Sequence, residues 1–251
     1  MFEFLRKIFS REGQADPTRP RPRPAAPAAP GVGGGVREYG RRVDQGPPLP
    51  ASIRAEGPLE KQERDFVLKT LRMMVWAGFD TRKDILAAAL AGLSEGEEAP
   101  YDSKLWITSQ LDQMIAEKKS AETAWPALVE YDRLEAAFEA LADQGVVTAS
   151  AAGYSRAEAR AEVWADYGEA RSARKPGARP APGVAFYALS EVESAIDGGP
   201  FAVSVETAVR GDEADLAARV ARALAAAGFS VVAEGGRLRL RDFVWRKRSP
   251  F

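Results

Sequence analysis

The chain has 251 residues, an apolar content of 45% and a formal net charge of −1, so no overall field draws it to nucleic acid or to an anionic membrane. It contains no cysteine and no histidine, which excludes disulfides, thiolate catalysis, Ser–His–Asp triads and the usual zinc sites. An enzyme of this composition would depend on carboxylates, Lys, Tyr, Ser and Arg, and we expect no bound cofactor.

Residues 1–12 have the pattern of a short amphipathic helix. On a helical wheel the apolar side chains fall within one arc, and the opposite arc is polar and mildly basic. Isolated helices of this length are marginal in water, so the segment needs a surface: a membrane, a partner protein or its own domain. The candidate docking residues are Phe2, Leu5, Ile8 and Phe9.

Residues 13–58 are predicted to be a disordered linker. They contain ten of the 17 prolines and a glycine-rich run, a composition that buries too little apolar surface to offset its ordering entropy. No apolar run approaches the roughly 18 residues that span a bilayer, and the N-terminus lacks the pattern of a secretory signal. We therefore expect a cytoplasmic protein, with peripheral attachment to the inner face of the membrane as one option.

The sequence from residue 59 to residue 144 is typical of a helical region. Apolar residues at helical spacing predict four helices, which carry Phe66 to Val75, Ile85 to Leu93, Leu105 to Ile115 and Leu134 to Leu141. Gly78 is the expected stop of the first helix. Asp80 or Thr81 is the expected N-terminal cap of the second helix.

Residues 145–251 mix strands with helices. Predicted strands are Val146–Ala149, Val184–Ala188, Phe201–Val205, Ser230–Ala233 and Arg237–Arg241, and predicted helices are Ser155–Ala173, Glu191–Ile196 and Glu213–Ala227. Two glycines between the last two strands indicate a hairpin turn. The order predicts an α+β fold: a helical N-terminal half followed by a mixed, mainly antiparallel sheet with packed helices, with residues 59–251 as one globular unit.

The region from Trp125 to Gly199 resembles an uncharacterised bacterial family, a domain of unknown function. The likeness rests on YDRLEAAFEALADQGVV, on AEV and on GVAFYALSEVESAIDGG, and it continues weakly to VWRKR near the C-terminus. The family pattern carries Cys-Cys-x-x-Cys-Gly between its strand and its helix, and a His after Phe-Tyr. The resemblance implies no particular activity.

This chain departs from that pattern at the positions that would carry chemistry. Tyr154 and Ser155 stand in place of the paired cysteines, Glu158 in place of the third, and Ala188 in place of the histidine, while Glu162 matches an acidic residue of the pattern. If the family uses those thiols for metal or redox chemistry, this protein has lost it. The joint, the segment that connects the predicted strand ending at Ala149 to the helix after Ser155, is then either a modified site or an ordinary connection. In the second case Ser155 caps the helix.

The helix after Ser155 places four carboxylates on one arc, Glu158, Glu162, Asp166 and Glu169, with Val163 and Tyr167 on the other side. Carboxylates one turn apart can hold Mg²⁺ or act as acid and base, but a solvated acidic face opposite an apolar one is the commoner arrangement.

The segment RLRLRDFVWRKR is a candidate basic surface. Strand alternation sends Leu238 and Leu240 to the core and the arginines at positions 237, 239 and 241 to the other face. Such a surface could bind the phosphates of a nucleic acid, with Trp245 stacking on a base. The alternative is an edge strand whose arginines discourage aggregation, with Trp245 covering the core. The candidate residues are Arg237, Arg239, Arg241, Arg246, Lys247 and Arg248.

These features favour a non-enzymatic binding or adapter domain, tethered by the linker to a helix that docks on a membrane or a partner protein through residues 1–12. One alternative is nucleic-acid binding through the basic segment. A second alternative is a carboxylate-based enzyme centred on Glu158 and Glu162.

Overall fold

The computed structural model describes residues 58–93, 99–172 and 181–251. The predicted amphipathic helix, and the predicted linker up to residue 57, lie outside the described residues. Within the described part the chain is α+β, with helices first and a five-stranded sheet after them, as the sequence predicts.

Four helices form the first half: α1 (Lys61–Ala77), α2 (Arg82–Ala91), α3 (Tyr101–Glu122) and α4 (Glu130–Asp143). Gly78 follows α1 in the left-handed conformation with a φ of 75°, which confirms it as the stop. Thr81 caps α2, because its hydroxyl accepts from the Asp84 amide while the Asp84 carboxylate accepts from the Thr81 amide. None of the described helices combines the length and the apolar character needed to cross a bilayer.

The second half contributes the sheet and three more helices. The strands are β1 (Val147–Ala149), β2 (Gly183–Phe186), β3 (Phe201–Thr207), β4 (Ser230–Glu234) and β5 (Arg237–Arg241), and the helices are α5 (Arg156–Ser172), α6 (Leu189–Ile196) and α7 (Glu213–Ala226). The strand order is β1-β2-β3-β5-β4. Only β1 and β2 pair in parallel among the described strands, so the predicted mixed, mainly antiparallel sheet is confirmed.

The expectation of an edge position for β5 is wrong. Strand β5 lies between β3 and β4, with Leu238 opposite both Val203 and Ala233, so β4 is the edge. The hairpin turn is confirmed, because Gly235 and Gly236 join β4 to β5 with φ values of 55° and 76°.

The two faces of the sheet belong to different apolar clusters. Side chains alternate along β2 and beyond its end, so Ala185 and Tyr187 join the main core while Val184 and Phe186 lie in a smaller cluster under α5. The main core also draws residues from α1 to α4, α6 and α7. The helical half and the sheet therefore share one apolar interior.

The C-terminal tail, residues 242–251, closes this core. Trp245 is 5% exposed and its indole N–H donates to the Ala77 carbonyl at 3.2 Å. Its ring contacts Phe79, Tyr131 and Phe201, with centroids 5.7–5.9 Å apart. Trp245 thus covers the core, and its ring is not available to stack on a base.

Lys118 is a fully buried cation beneath the tail. Its Nζ donates to the Val75 carbonyl at 2.8 Å and lies 3.8 Å from a Glu122 carboxylate oxygen. Burial lowers the pKa of Lys118 to about 8, with Glu122 acting in the opposite direction and Lys247 in the same one. The buried ammonium is tolerated because a carbonyl near the end of α1 accepts its hydrogen bond and a carboxylate lies nearby with the opposite charge.

We predict that Lys118→Met changes the dependence of stability on pH. The ordinary lysine pKa is 10.5 and that of folded Lys118 is about 8, so between these values the unfolded chain binds a proton that the folded chain does not. Stability rises with pH wherever the unfolded state binds more protons. The free energy of unfolding of the wild type should therefore gain on that of the variant from pH 8 to 10.5, by at most about 3 kcal/mol.

Urea denaturation at intervals between pH 7 and pH 10.5 measures this difference. Below pH 8 both states are protonated at Lys118, so the two proteins should differ by a constant. Lys119→Met is the matched control, because Lys119 is the exposed neighbour on the same helix. Parallel profiles for the wild type and Lys118→Met would contradict the prediction.

Candidate functional site

The joint between β1 and α5 lies at the carboxyl end of the parallel pair β1–β2, the side of a parallel sheet where ligands commonly bind. Its backbone is tied to the end of β2: the Ala152 amide donates to the Tyr187 carbonyl at 3.1 Å, and the Tyr187 amide to the Ala149 carbonyl at 3.3 Å. Gly153 has a φ of 49°, and a Cβ there would lie 2.7 Å from the Ala159 nitrogen. The joint is a closely packed turn that requires this glycine.

The carboxylates of Glu158 and Glu162 turn back onto this joint. One Glu158 oxygen accepts from the amides of Tyr154 and Ser155, each at 3.1 Å, while the Ser155 hydroxyl accepts from the Glu158 amide at 3.2 Å. These reciprocal bonds form a capping box, so Ser155 is the cap of α5. Glu162 accepts from the Gly153 amide at 2.9 Å. Both carboxylates therefore complete the backbone bonding of the turn.

Tyr154 connects the joint to α6 and α1. Its hydroxyl donates to Glu193 at 2.6 Å, and Glu193 forms an ion pair with Lys69 at 2.7 Å. Burial, together with the hydrogen bond and the charge of Glu193, raises the pKa of Tyr154 above its ordinary value. The phenol therefore stays protonated at neutral pH and acts as a hydrogen-bond donor.

The structure brings Ala188 close to Tyr154, Ser155 and Glu158, the other positions at which this chain departs from the family pattern. The Leu189 amide donates to the Gly153 carbonyl at 3.1 Å, and the Ser190 amide to the Tyr154 carbonyl at 3.0 Å. The positions where the resemblance places thiols and an imidazole thus lie close together at the carboxyl end of β1 and β2. In this chain backbone hydrogen bonds and the carboxylate of Glu158 connect them.

A second polar cluster, which the sequence did not indicate, lies nearby between α4 and the end of β1. The Ser150 hydroxyl donates to Glu135 at 2.6 Å. Burial, and then the charge of Glu135, raises the pKa of both Tyr131 and the fully buried Tyr187. Burial lowers the pKa of Lys247, and the charge of Glu135 acts in the opposite direction. No motif marks these residues, because they come from four separate segments of the chain.

The acidic arc of α5 divides into two parts. Glu158 and Glu162 hold the joint, whereas Asp166 and Glu169 are exposed further along the helix. Partial desolvation at the helix surface, followed by the charge of Glu169, raises the pKa of Asp166. In the ranges that the structure describes, no group of three or more acidic side chains is arranged to hold a metal ion.

The arginines of β5 lie on the sheet face opposite the main core, as alternation predicts. Arg237 forms an ion pair with Glu191 of α6, and Arg239 lies 3.8 Å from Glu234 across the hairpin. Arg241 is exposed at the end of the strand. This half of the predicted basic surface is therefore partly neutralised by neighbouring carboxylates.

The cations of the tail point elsewhere and serve the fold. Arg246 lies 3.6 Å from Glu130, and Arg248 donates to the Pro126 carbonyl at 2.9 Å. The Lys247 ammonium lies 3.8 Å from the centroid of the Tyr131 ring, a cation–π contact. The tail therefore does not extend the β5 arginines into one continuous basic surface.

An open groove of about 430 Å³ lies between α4 and α7. Six alanines line it: Ala136, Ala137 and Ala140 of α4, Ala223 and Ala226 of α7, and Ala227 directly after α7. Gln144, Arg219 and Arg222 complete the lining. Neither arginine makes a hydrogen bond or an ion pair with another residue that the structure describes. The sequence alone does not reveal this groove, since alanines on a helix carry no distinctive signal.

The model of a family described as a domain of unknown function, DUF6891, matches residues 60–249. The chain belongs to the DUF6891 family. No curated protein and no solved structure matches the chain. The predicted resemblance to a domain of unknown function is thus confirmed, and the DUF6891 match spans both the helical half and the sheet.

We predict that Glu158→Ala destabilises the fold by about 1–2 kcal/mol, because two amides at the start of α5 lose their acceptor. Glu169→Ala is the matched control, since Glu169 is an exposed glutamate of the same helix and the substitution has the same effect on helix propensity. Urea denaturation at neutral pH compares the two variants. Equal stability of the two would show that the capping box contributes nothing.

Proposed function

We propose that this DUF6891 chain is a non-enzymatic binding module. Its α4–α7 groove holds an acidic amphipathic helix of a partner protein, and its N-terminal segment, residues 1–12, docks on a membrane surface. The observation that carries the proposal is the apolar groove beside two arginines that have no partner among the described residues.

The shape of the groove supports a helical occupant. Six of its nine lining residues are alanines, whose small side chains leave room for the larger apolar side chains of a second helix. An amphipathic helix that lays its apolar face in a groove is a common form of peptide recognition. The volume of about 430 Å³ is within the range of ligand pockets and suits a few such side chains.

The charge of the groove supports an acidic occupant. Arg219 is half-buried and Arg222 is exposed, and both lie on the α7 side of the groove. Guanidinium groups bind carboxylates in a bidentate geometry, so glutamates or aspartates on the flank of the helix would meet them. The chain's own segment 1–12 carries Arg6, Lys7 and Arg11, and these would repel the two arginines. A partner protein fits the groove better.

The bonding at the joint supports binding over acid–base catalysis. Glu158 and Glu162 accept from backbone amides, and the Tyr154 hydroxyl is bonded to Glu193. A general acid or base must exchange its proton with a substrate, and here that would require breaking the bonds that hold the turn.

The groove is tested with a fluorescein-labelled synthetic peptide, an amphipathic helix with leucine and alanine on one face and glutamates along its flank. We expect saturable binding by fluorescence anisotropy that weakens with added salt. Arg219→Glu with Arg222→Glu should weaken binding by about tenfold or more, because the contacts become repulsive.

The matched control is Arg239→Glu with Arg241→Glu, which changes the charge equally on the sheet face away from the groove. This pair should bind the peptide within about twofold of the wild type. An equal loss in both pairs would indicate a response to net charge alone, and no binding by the wild type would overturn the groove proposal.

Membrane docking is tested by flotation of the full chain with vesicles of phosphatidylglycerol and phosphatidylcholine. Leu5→Asp with Phe9→Asp should abolish flotation, because it places charge on the predicted apolar arc. Ser10→Asp with Gly13→Asp adds the same charge outside that arc and should retain most of it. If both pairs float like the wild type, residues 1–12 do not dock on lipid.

A further inference from the structure

Strand β4 is an edge of the sheet whose outer side pairs with no described residue. The opposite edge is β1, which is only three residues long and contacts α4 and α5. Strand β4 has five residues, SVVAE, of which Val231 and Val232 are half-buried and the others exposed. An open edge strand is a template for pairing with another strand.

The hairpin determines which backbone groups of β4 face outward. In a two-residue hairpin the residues flanking the turn, Glu234 and Arg237, exchange hydrogen bonds, and bonded positions then recur at every second residue. Ser230, Val232 and Glu234 therefore bond to β5. The amides and carbonyls of Val231 and Ala233 point away from the sheet.

Natural edge strands usually carry features that prevent pairing, such as proline, lysine, a bulge or an inward charge. Strand β4 has none of these, since its one charged residue is Glu234 at the turn and its pairing with β5 is continuous from Ser230 to Glu234. Val231, Val232 and Ala233 form an uncharged centre of the kind that strand pairing favours.

We propose that β4 pairs antiparallel with β4 of a second copy of the chain, around a two-fold axis through Val232. This register places Val231 opposite Ala233 of the second copy, and Ala233 opposite its Val231. Each residue of these two pairs has its amide and carbonyl directed at the other, so both pairs can exchange two hydrogen bonds. The two five-stranded sheets become one continuous sheet of ten strands.

The side chains agree with the same register. Val232 meets Val232 of the second copy at a non-bonded position, where Cβ atoms come within about 5 Å and valines pack well. Ser230 lies opposite Glu234 of the second copy, so no like charges stand directly across the axis. The strand is therefore complementary to itself in hydrogen bonding and in apolar contact, and this register brings no like charges together.

A disulfide test locates the axis, and the absence of native cysteine makes it unambiguous. In the full chain, Val232→Cys should form a covalent dimer under mild oxidation, because the two sulfur atoms would lie at the axis. Ser230→Cys is the matched control on the same face of the same strand. Its two copies would be about 13 Å apart in this register and should remain largely unlinked. The readout is non-reducing electrophoresis.

A second measurement examines the wild-type full chain. Light scattering after gel filtration should give twice the mass of one chain at high concentration. Ala233→Pro removes an outward amide without removing a bond to β5, and should return the mass to that of one chain while the circular dichroism spectrum is retained.

A monomeric wild-type chain at all concentrations would overturn the proposal, as would equal crosslinking of Val232→Cys and Ser230→Cys. A dimer that persists in Ala233→Pro with no crosslink at Val232→Cys would place the interface elsewhere and would also overturn it.

Discussion

The packing of Trp245 against aromatic residues from several elements is the contact on which the fold depends most. Its ring meets Phe79 after α1, Tyr131 of α4, Tyr187 after β2 and Phe201 of β3. A residue near the C-terminus thus joins the helical half to the sheet. Aromatic side chains bury large areas, and edge-to-face pairs contribute about 0.5–1.5 kcal/mol each beyond that burial. Because the tail is held in this way, its neighbouring cations are held against the helix ends.

The joint at the carboxyl end of β1 and β2 has the position of a functional site and the bonding of a structural one. Tyr154, Ser155, Glu158 and Glu162 all engage backbone amides or a neighbouring carboxylate. A hydrogen-bonded turn of this kind holds the two strand ends together without thiols or a metal. The chain, which has neither cysteine nor histidine, therefore closes this turn with hydrogen bonds alone.

Groups that the fold leaves without an internal partner lie on other surfaces. Among the six candidate cations of β5 and the tail, Arg237 pairs with Glu191, Arg246 with Glu130 and Arg248 with backbone carbonyls. Arg219 and Arg222 have no such partner among the described residues. The outer backbone of β4 is likewise unpaired there. Charged and hydrogen-bonding groups that are saturated internally have little left to offer a partner, so the groove and the edge are the surfaces suited to binding.

The sequence by itself determined the features that depend on neighbouring residues. These are the order of helices and strands, the stop at Gly78, the caps at Thr81 and Ser155, and the glycine turn of the hairpin. Tertiary structure decided the rest, because those features join segments far apart in the chain. Strand β4 and not β5 is the edge of the sheet, because β5 pairs with β3, from which α7 and β4 separate it along the chain. The alanines of α4 and α7 form a groove only because the two helices pack side by side. Whether a charged residue is free or neutralised depends on the same distant contacts, which periodicity along one segment does not record.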